Sequence, residues 1–348
     1  MNQSKKITRT PHIWAFSSLL GAMAEPAAWP EFTCIKQDGT LDEERYDYFM
    51  KTFALYGANA TREFPFHVPE DHQPQGQTNY LPYVFYNGKY DLDQYNETYF
   101  RNLKKMATIA NSRGHVFFFS VLDRCHQLNM NWSPWNLNHQ GVRGFQLSQV
   151  EKWTRKILDT LQGNVFGIED INENRSAELI PILVRIIKIA KEYGLPNTRI
   201  IHGTQYIMKW TGNEQVPHPI FQKFSSALNK TGIRAFDYFE RNAHEVNEKF
   251  LEDFAHIQRH KSNWFISDDG VHPKCSHQWW LENLTRFFSH KPARKNRLFY
   301  PGAAFEHLYR YEADDIAGVW GIVRAFEIAT GTRLLDGGGK LRVIPESM

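Results

Sequence analysis

Val165-Phe166-Gly167-Ile168-Glu169-Asp170-Ile171-Asn172-Glu173-Asn174-Arg175 reads as a short apolar strand that breaks into Asn-Glu where the chain turns towards a helix. A carboxylic acid at the C-terminal lip of a buried parallel strand is where an α/β barrel places its chemistry. The rest of the chain reads as the barrel around that lip and as a search for the acid's partner.

Working outward, short apolar strands alternate with amphipathic helices. Strands are expected at 12–20, 57–64, 115–122, the opening stretch, 199–203, 233–239, 263–267 and 297–300. Helices are expected at 41–56, 93–113, 147–161, 177–193, 219–228, 245–260, 276–290 and 313–330. Asp42, Glu43 and Glu44 suit the N-terminal dipole of the first helix, and Leu103, Met106, Ala107 and Ala110 share one face of the second. Ser176 is placed as the N-cap of the fourth, which Gly194-Leu195-Pro196 stops. Eight strand–helix pairs without repeat or linker is the (β/α)8 count, and right-handed crossovers bring every strand end to one face. The expectation is α/β: a single (β/α)8 TIM barrel in one domain over 1–348, barrel about 12–330 and C-terminal tail 331–348. Two long segments, 67–90 after strand two and 123–145 after strand three, exceed what a connection requires and are expected to line the site.

The bulk composition narrows the classes. A formal net charge of +3 over 348 residues is too weak a basic balance to argue for a nucleic-acid partner. Cys34, Cys125 and Cys275 are far apart without CxxC spacing, which suggests reduced thiols rather than a disulfide framework. The fifteen His form no HxH or HExxH pair, so no metal site is expected. No run approaches the ~18 apolar residues of a membrane span. Lys5, Lys6 and Arg9 followed by 13–24 have the outline of a secretory signal. Pro11, His12 and two serines interrupt it, and its removal would delete the first strand. Location stays open between cytoplasm, virion and secretion by another route, and so does oligomeric state.

The motifs at the strand ends form a pattern. Gly167-Ile168-Glu169-Asp170-Ile171-Asn172-Glu173 resembles the Asn-Glu signature of glycoside hydrolase clan A, and of its family 5 in particular (cellulases, mannanases and relatives). Thr61-Arg62 is similar to the clan's Val-Arg, and Leu122-Asp123 with His126 resembles its strand-three region. His244 resembles the His that lines the cleft after strand six. Phe265-Ile266-Ser267-Asp268-Asp269-Gly270 resembles Ile-Ser-Glu-Phe-Gly after strand seven. The resemblance spans roughly 13–300 and implies that Glu173 is the acid/base, Asn172 holds the sugar 2-hydroxyl, Arg62 orients the nucleophile, and Asp268 occupies the nucleophile position. Two departures fall at the same end of the pair: Asp268 replaces Glu, and Val246 stands where a Tyr often follows the strand-six His.

Glycosidic cleavage needs one protonated carboxyl for the leaving oxygen and one ionised carboxylate across the ring. This two-carboxylate chemistry calls for no organic cofactor. The residues implied for those roles are Glu173 and Asp268, with Asn172, Arg62, His126, His244, Trp132, Trp135 and Asp269 as the substrate shell of a β-linked poly- or oligosaccharide. Each has a plainer reading. Asn172-Glu173 also suits a helix start, and Asp268-Asp269-Gly270 an ordinary turn, with Asp269 an alternative working carboxylate. Arg62 also suits a structural ion pair. His126 and His244 would serve as satisfied rim groups, and Trp132 and Trp135 as loop anchors. A competing class is a barrel that binds glycans without cleaving them, motivated by the two departures. A barrel lyase or aldolase is disfavoured, because no strand-end Lys is evident for a Schiff base and no metal-ligand cluster appears.

Overall fold

The structure, a computed structural model, describes residues 12–16, 34–36, 38–55, 60–63, 65, 81–86, 89–122, 135, 147–171, 179–196, 199–203, 208–211, 214–217, 222–223, 226–227, 238–242, 263–267, 285, 298–299 and 328. In chain order the elements of the first half are β1 (His12–Phe16), α1 (Glu43–Leu55), β2 (Ala60–Glu63), β3 (Tyr83–Tyr86), β4 (Lys89–Tyr95), α2 (Glu97–Ser112), β5 (Val116–Ser120) and α3 (Leu147–Thr160). There follow β6 (Val165–Glu169), α4 (Ile180–Glu192), β7 (Ile200–Gly203), β8 (Met208–Thr211), β9 (Glu214–Pro217), β10 (Tyr238–Asn242), β11 (Asn263–Ser267) and β12 (Leu298–Phe299).

β1, β2, β5, β6, β7, β10, β11 and β12 close into a barrel in that order, and each neighbouring pair is parallel. All eight C-terminal ends therefore lie on one face. β6 is the fourth barrel strand and β11 the seventh.

The alternation of a strand between its two faces explains β2. The Thr61 hydroxyl contacts Met50 Sδ at 3.5 Å, and the Tyr46 hydroxyl donates to Glu63 Oε1 at 3.4 Å, so both side chains face α1. Ala60 and Arg62 then point into the barrel. α2 is N-capped by Asn96, whose side-chain oxygen accepts from the Thr98 amide at 3.1 Å. It buries Tyr99, Phe100, Leu103, Met106, Ala107 and Ala110 along one stripe and ends before Gly114, whose φ of +86° few other residues tolerate.

β5 and β6 shift register between Phe117 and Phe118, and Phe118 pairs with Gly167. A Cβ at Gly167 would lie 2.4 Å from the Arg199 backbone oxygen and 2.7 Å from Phe118 Cε1. The backbone oxygen cannot step aside as a side-chain end could. Gly167→Ala is expected to cost about 1–3 kcal/mol through overpacking, read as a lower urea midpoint. An unchanged midpoint would mean that the strand-four backbone is freer than this packing allows.

His115, just before β5, is buried with Nε2 2.9 Å from the Met50 carbonyl and Nδ1 3.2 Å from the Ala60 carbonyl. Burial lowers its pKa and outweighs the two carbonyls, which pull it upward. The fold thus prefers the neutral ring. Below about pH 6.5 the unfolded chain takes up a proton that the folded chain resists. Stability is then lost as pH falls, by up to about 1.4 kcal/mol per unit, until the folded ring also protonates. Urea midpoints at pH 7.5 and 5.0 should differ more for the wild type than for His115→Gln. Equal pH slopes would remove His115 as the cause.

Several elements differ from expectation. Segment 67–90 is not wholly a loop: β3 and β4 form an antiparallel pair within the 83–95 stretch, and α2 starts at Glu97 rather than 93. Tyr86 pairs with Lys89, leaving the two-residue connection Asn87-Gly88, a composition that favours tight hairpins. β8 and β9 form a second pair around Gly212-Asn213. α4 starts at Ile180 with Leu179 as its cap and no side-chain cap bond, instead of at 177. Pro181 in the first turn supplies a preset φ there. The sixth barrel strand is Tyr238–Asn242, displaced from 233–239 to pair five residues with β11, from Tyr238–Asn263 to Asn242–Ser267. The expected tail 331–348 and the caps at Ser176 lie outside the described residues.

Candidate functional site

The C-terminal mouth is framed by the ends of β2, β5 and β6. Arg62 on β2 sends Nη1 to both carboxylate oxygens of Glu169 on β6, at 3.3 and 3.2 Å. The Ser120 hydroxyl at the end of β5 donates to Glu169 Oε2. Arg62, Ser120 and Glu169 are each 0% exposed. The β5–β6 register places Ser120 opposite Glu169, and the β2–β5 register places Arg62 opposite Phe118, two residues earlier. Three adjacent strands are thereby tied together by one charged, fully desolvated cluster. The Arg62 contacts are long for charge-assisted hydrogen bonds, so the tie rests on the attraction of two opposite charges sealed from water.

The chain continues from this cluster into the candidate motif. Asp170 and Ile171 are buried, and the Ile171 amide donates to Asp170 Oδ1 at 2.6 Å. Asn172 and Glu173 are the next residues and lie outside the described set, as do His126, Trp132, His244, Asp268 and Asp269. The frame that carries them is described. Ser267, which precedes Asp268, ends β11; Asn242, two residues before His244, ends β10; and these two strand ends are register partners.

Arg62 therefore has a partner, Glu169, that the strand-end motifs do not point to. Glu169 closes an apolar run and reads as the strand's fading end, yet a charge within a buried strand demands a counter-charge. An Arg two barrel strands earlier was the available signal.

Trp135 is not an open platform. It is 0% exposed, with ring centroids 4.9 Å from Trp153 and 5.7 Å from Tyr83. Tyr83 stacks on Tyr95 at 5.4 Å, Tyr95 meets Phe100 edge-on, and the Trp153 indole donates to the Val121 carbonyl at 2.9 Å. The large apolar ring is worth more in this aromatic cluster than in water, so Trp135 takes the anchoring role instead of a sugar-stacking one. Among the described residues no group of His, Cys, Asp and Glu is arranged to hold a metal, and no helix is long and apolar enough to cross a membrane.

No family model matches the chain, and no curated protein is similar to it. Solved structures share its fold. A GH5_18 protein from Bifidobacterium longum subsp. infantis aligns with a TM-score of 0.58 at 13% identity, over 93% of this chain and 80% of its own. An endo-1,4-beta-mannanase from Rhizomucor miehei aligns at 0.55 and 10% identity, over 94% and 96%. A GH5_18 protein from Streptomyces cattleya, solved in complex with GlcNAc, aligns at 0.55 and 11% identity, over 93% and 82%. At these identities the likeness is one of fold: a barrel of the kind found in glycoside hydrolase family 5.

Proposed function

We propose that this chain is a glycoside hydrolase, a single catalytic barrel cleaving a β-linked poly- or oligosaccharide without a metal or organic cofactor. Glu173 is the acid/base and Asp268 the nucleophile or base. Asn172, His126, His244, Trp132 and Asp269 make up the substrate shell, and Arg62, buried against Glu169, orients the nucleophile. The observation that carries this is topological. Two carboxylates follow the fourth and seventh strands of an all-parallel barrel whose strand ends share one face, Glu173 four residues and Asp268 one residue past the strand end. Chemistry in such barrels is built at that face. The neighbours of like fold, among them an endo-1,4-beta-mannanase, support the reaction class and favour endo action.

Stereochemistry follows from the gap between the carboxyls, about 5–5.5 Å for retention and about 6.5–9.5 Å for inversion. Asp in place of Glu withdraws the carboxylate by ~1.5 Å, about one C–C bond. On an unchanged backbone that widens the gap towards inversion. The anomer first released decides it.

Reducing-end release from β-glucans, mannans, xylans and chitin-type polymers tests the proposal. Release from at least one polymer is expected. A second reading, a barrel that binds glycans without cleaving them, is favoured by Asp268 and Val246. Saturable binding of a polymer without any release from the panel would replace the first reading with this one.

A further inference from the structure

A buried carboxylate outside the proposed catalytic pair ends β6, four residues before Glu173: Glu169, held by Arg62 and Ser120. Stability alone does not account for it. Apolar groups of similar volume in place of a buried ion pair are often neutral or stabilising, whereas loss of one partner is costly. This pair lies one residue below the end of β2 and at the end of β6, directly under the mouth that the proposed reaction uses. We infer that Glu169, fixed by Arg62 and Ser120, is a positioning residue that locks the Arg62 guanidinium and sets the electrostatic field beneath the two catalytic carboxyls. The inference rests on the glycosidase reading above.

The charges around it define the sign. From β2 comes Arg62, while Glu63 on the same strand turns out to Tyr46. From β5 comes the uncharged Ser120, and on β6 itself the next residue is the buried Asp170. On β7, Ile201 is the register partner of Glu169, and His202 follows it. Glu169 offsets the positive charge of Arg62. With that offset removed, the full guanidinium charge acts on both catalytic groups. A nearby positive charge favours the ionised form of any carboxyl. The group that must be ionised and the group that must be protonated then both lose their protons more readily.

The test is the pH profile of kcat/KM for polymer hydrolysis. In Glu169→Gln both limbs should move to lower pH, by about one unit. Glu169→Asp, which keeps the charge but sets it back, should move them in the same direction by less. Ser120→Ala, which removes a hydrogen bond and no charge, should lower the rate without moving either limb. A purely structural role would reduce the amount of active protein and leave the limbs in place. Limbs of Glu169→Gln at their wild-type positions overturn the inference while the glycosidase reading stands. Where the Gln variant does not fold, limbs of Glu169→Asp at wild-type positions do the same. Wild type that releases nothing from any polymer overturns the reading and the inference together.

Discussion

Glu173→Gln is expected to lower kcat on a natural polymer by about 10²–10⁴-fold, the usual share of a positioned general acid. That is about 2.7–5.5 kcal/mol of transition-state stabilisation. The amide is nearly the same shape as the acid, so substrate affinity should change little and the loss should appear in kcat. Leaving-group chemistry sharpens the test. A nitrophenyl leaving group departs as a weakly basic phenolate and needs little protonation, so its release should fall far less than that of a sugar alcohol. The basic limb of the pH profile, which reports loss of the acid's proton, should vanish with the same substitution. An equal loss on both substrates would assign Glu173 some other role, and the helix-start reading of Asn172-Glu173 would regain its place.

Arg62→Met is the second large effect, and it acts on the fold. Its Nη1 meets both oxygens of Glu169, and both side chains are sealed from water. Removal of the cation leaves a buried carboxylate that has lost its charged partner. Breaking such a pair costs about 3–5 kcal/mol, a large share of the roughly 5–15 kcal/mol that holds a domain together. The double variant Arg62→Met/Glu169→Gln removes the stranded charge and should recover much of the loss. A single variant as stable as the double would show that the pair is not coupled, and the buried cluster would then not tie β2 to β6 as described. Urea midpoints of the three proteins decide it.

Periodicity made the barrel legible because parallel strands carry near-continuous apolar runs such as Val116-Phe117-Phe118-Phe119 and Trp264-Phe265-Ile266, which no helix face explains. β11 lies where that pattern puts it. The sixth strand did not show itself in the same way. Glu240 and Arg241 look like loop residues, but pairing with β11 extends the strand through both of them. Hydrogen-bond register, a property of two strands, overrode the composition of one. The two hairpins were hidden by a different error. Asn87-Gly88 and Gly212-Asn213 are turn signals, but the first sits in the 67–90 segment read as loop and the second in 204–218, to which no element is assigned. At the candidate site, Arg62 was visible as a charge on a buried strand, while Glu169 passed for a strand's fading end and Ser120 for an ordinary residue within the strand expected at 115–122. Pairing between residues more than a hundred positions apart leaves no local trace.

The aromatic cluster around Trp153 has a consequence for anyone who would redesign this protein. Tyr83 belongs to the insertion after β2, Trp135 to the segment after β5, and both rest on the same helix through Trp153. The two excursions share a single foundation. A graft that swaps one of them for a foreign sequence, to alter what the mouth accepts, would leave the other standing on half of its footing. Transplants of the two segments together, with the Trp153 face of α3, should yield soluble chimeras where single transplants do not.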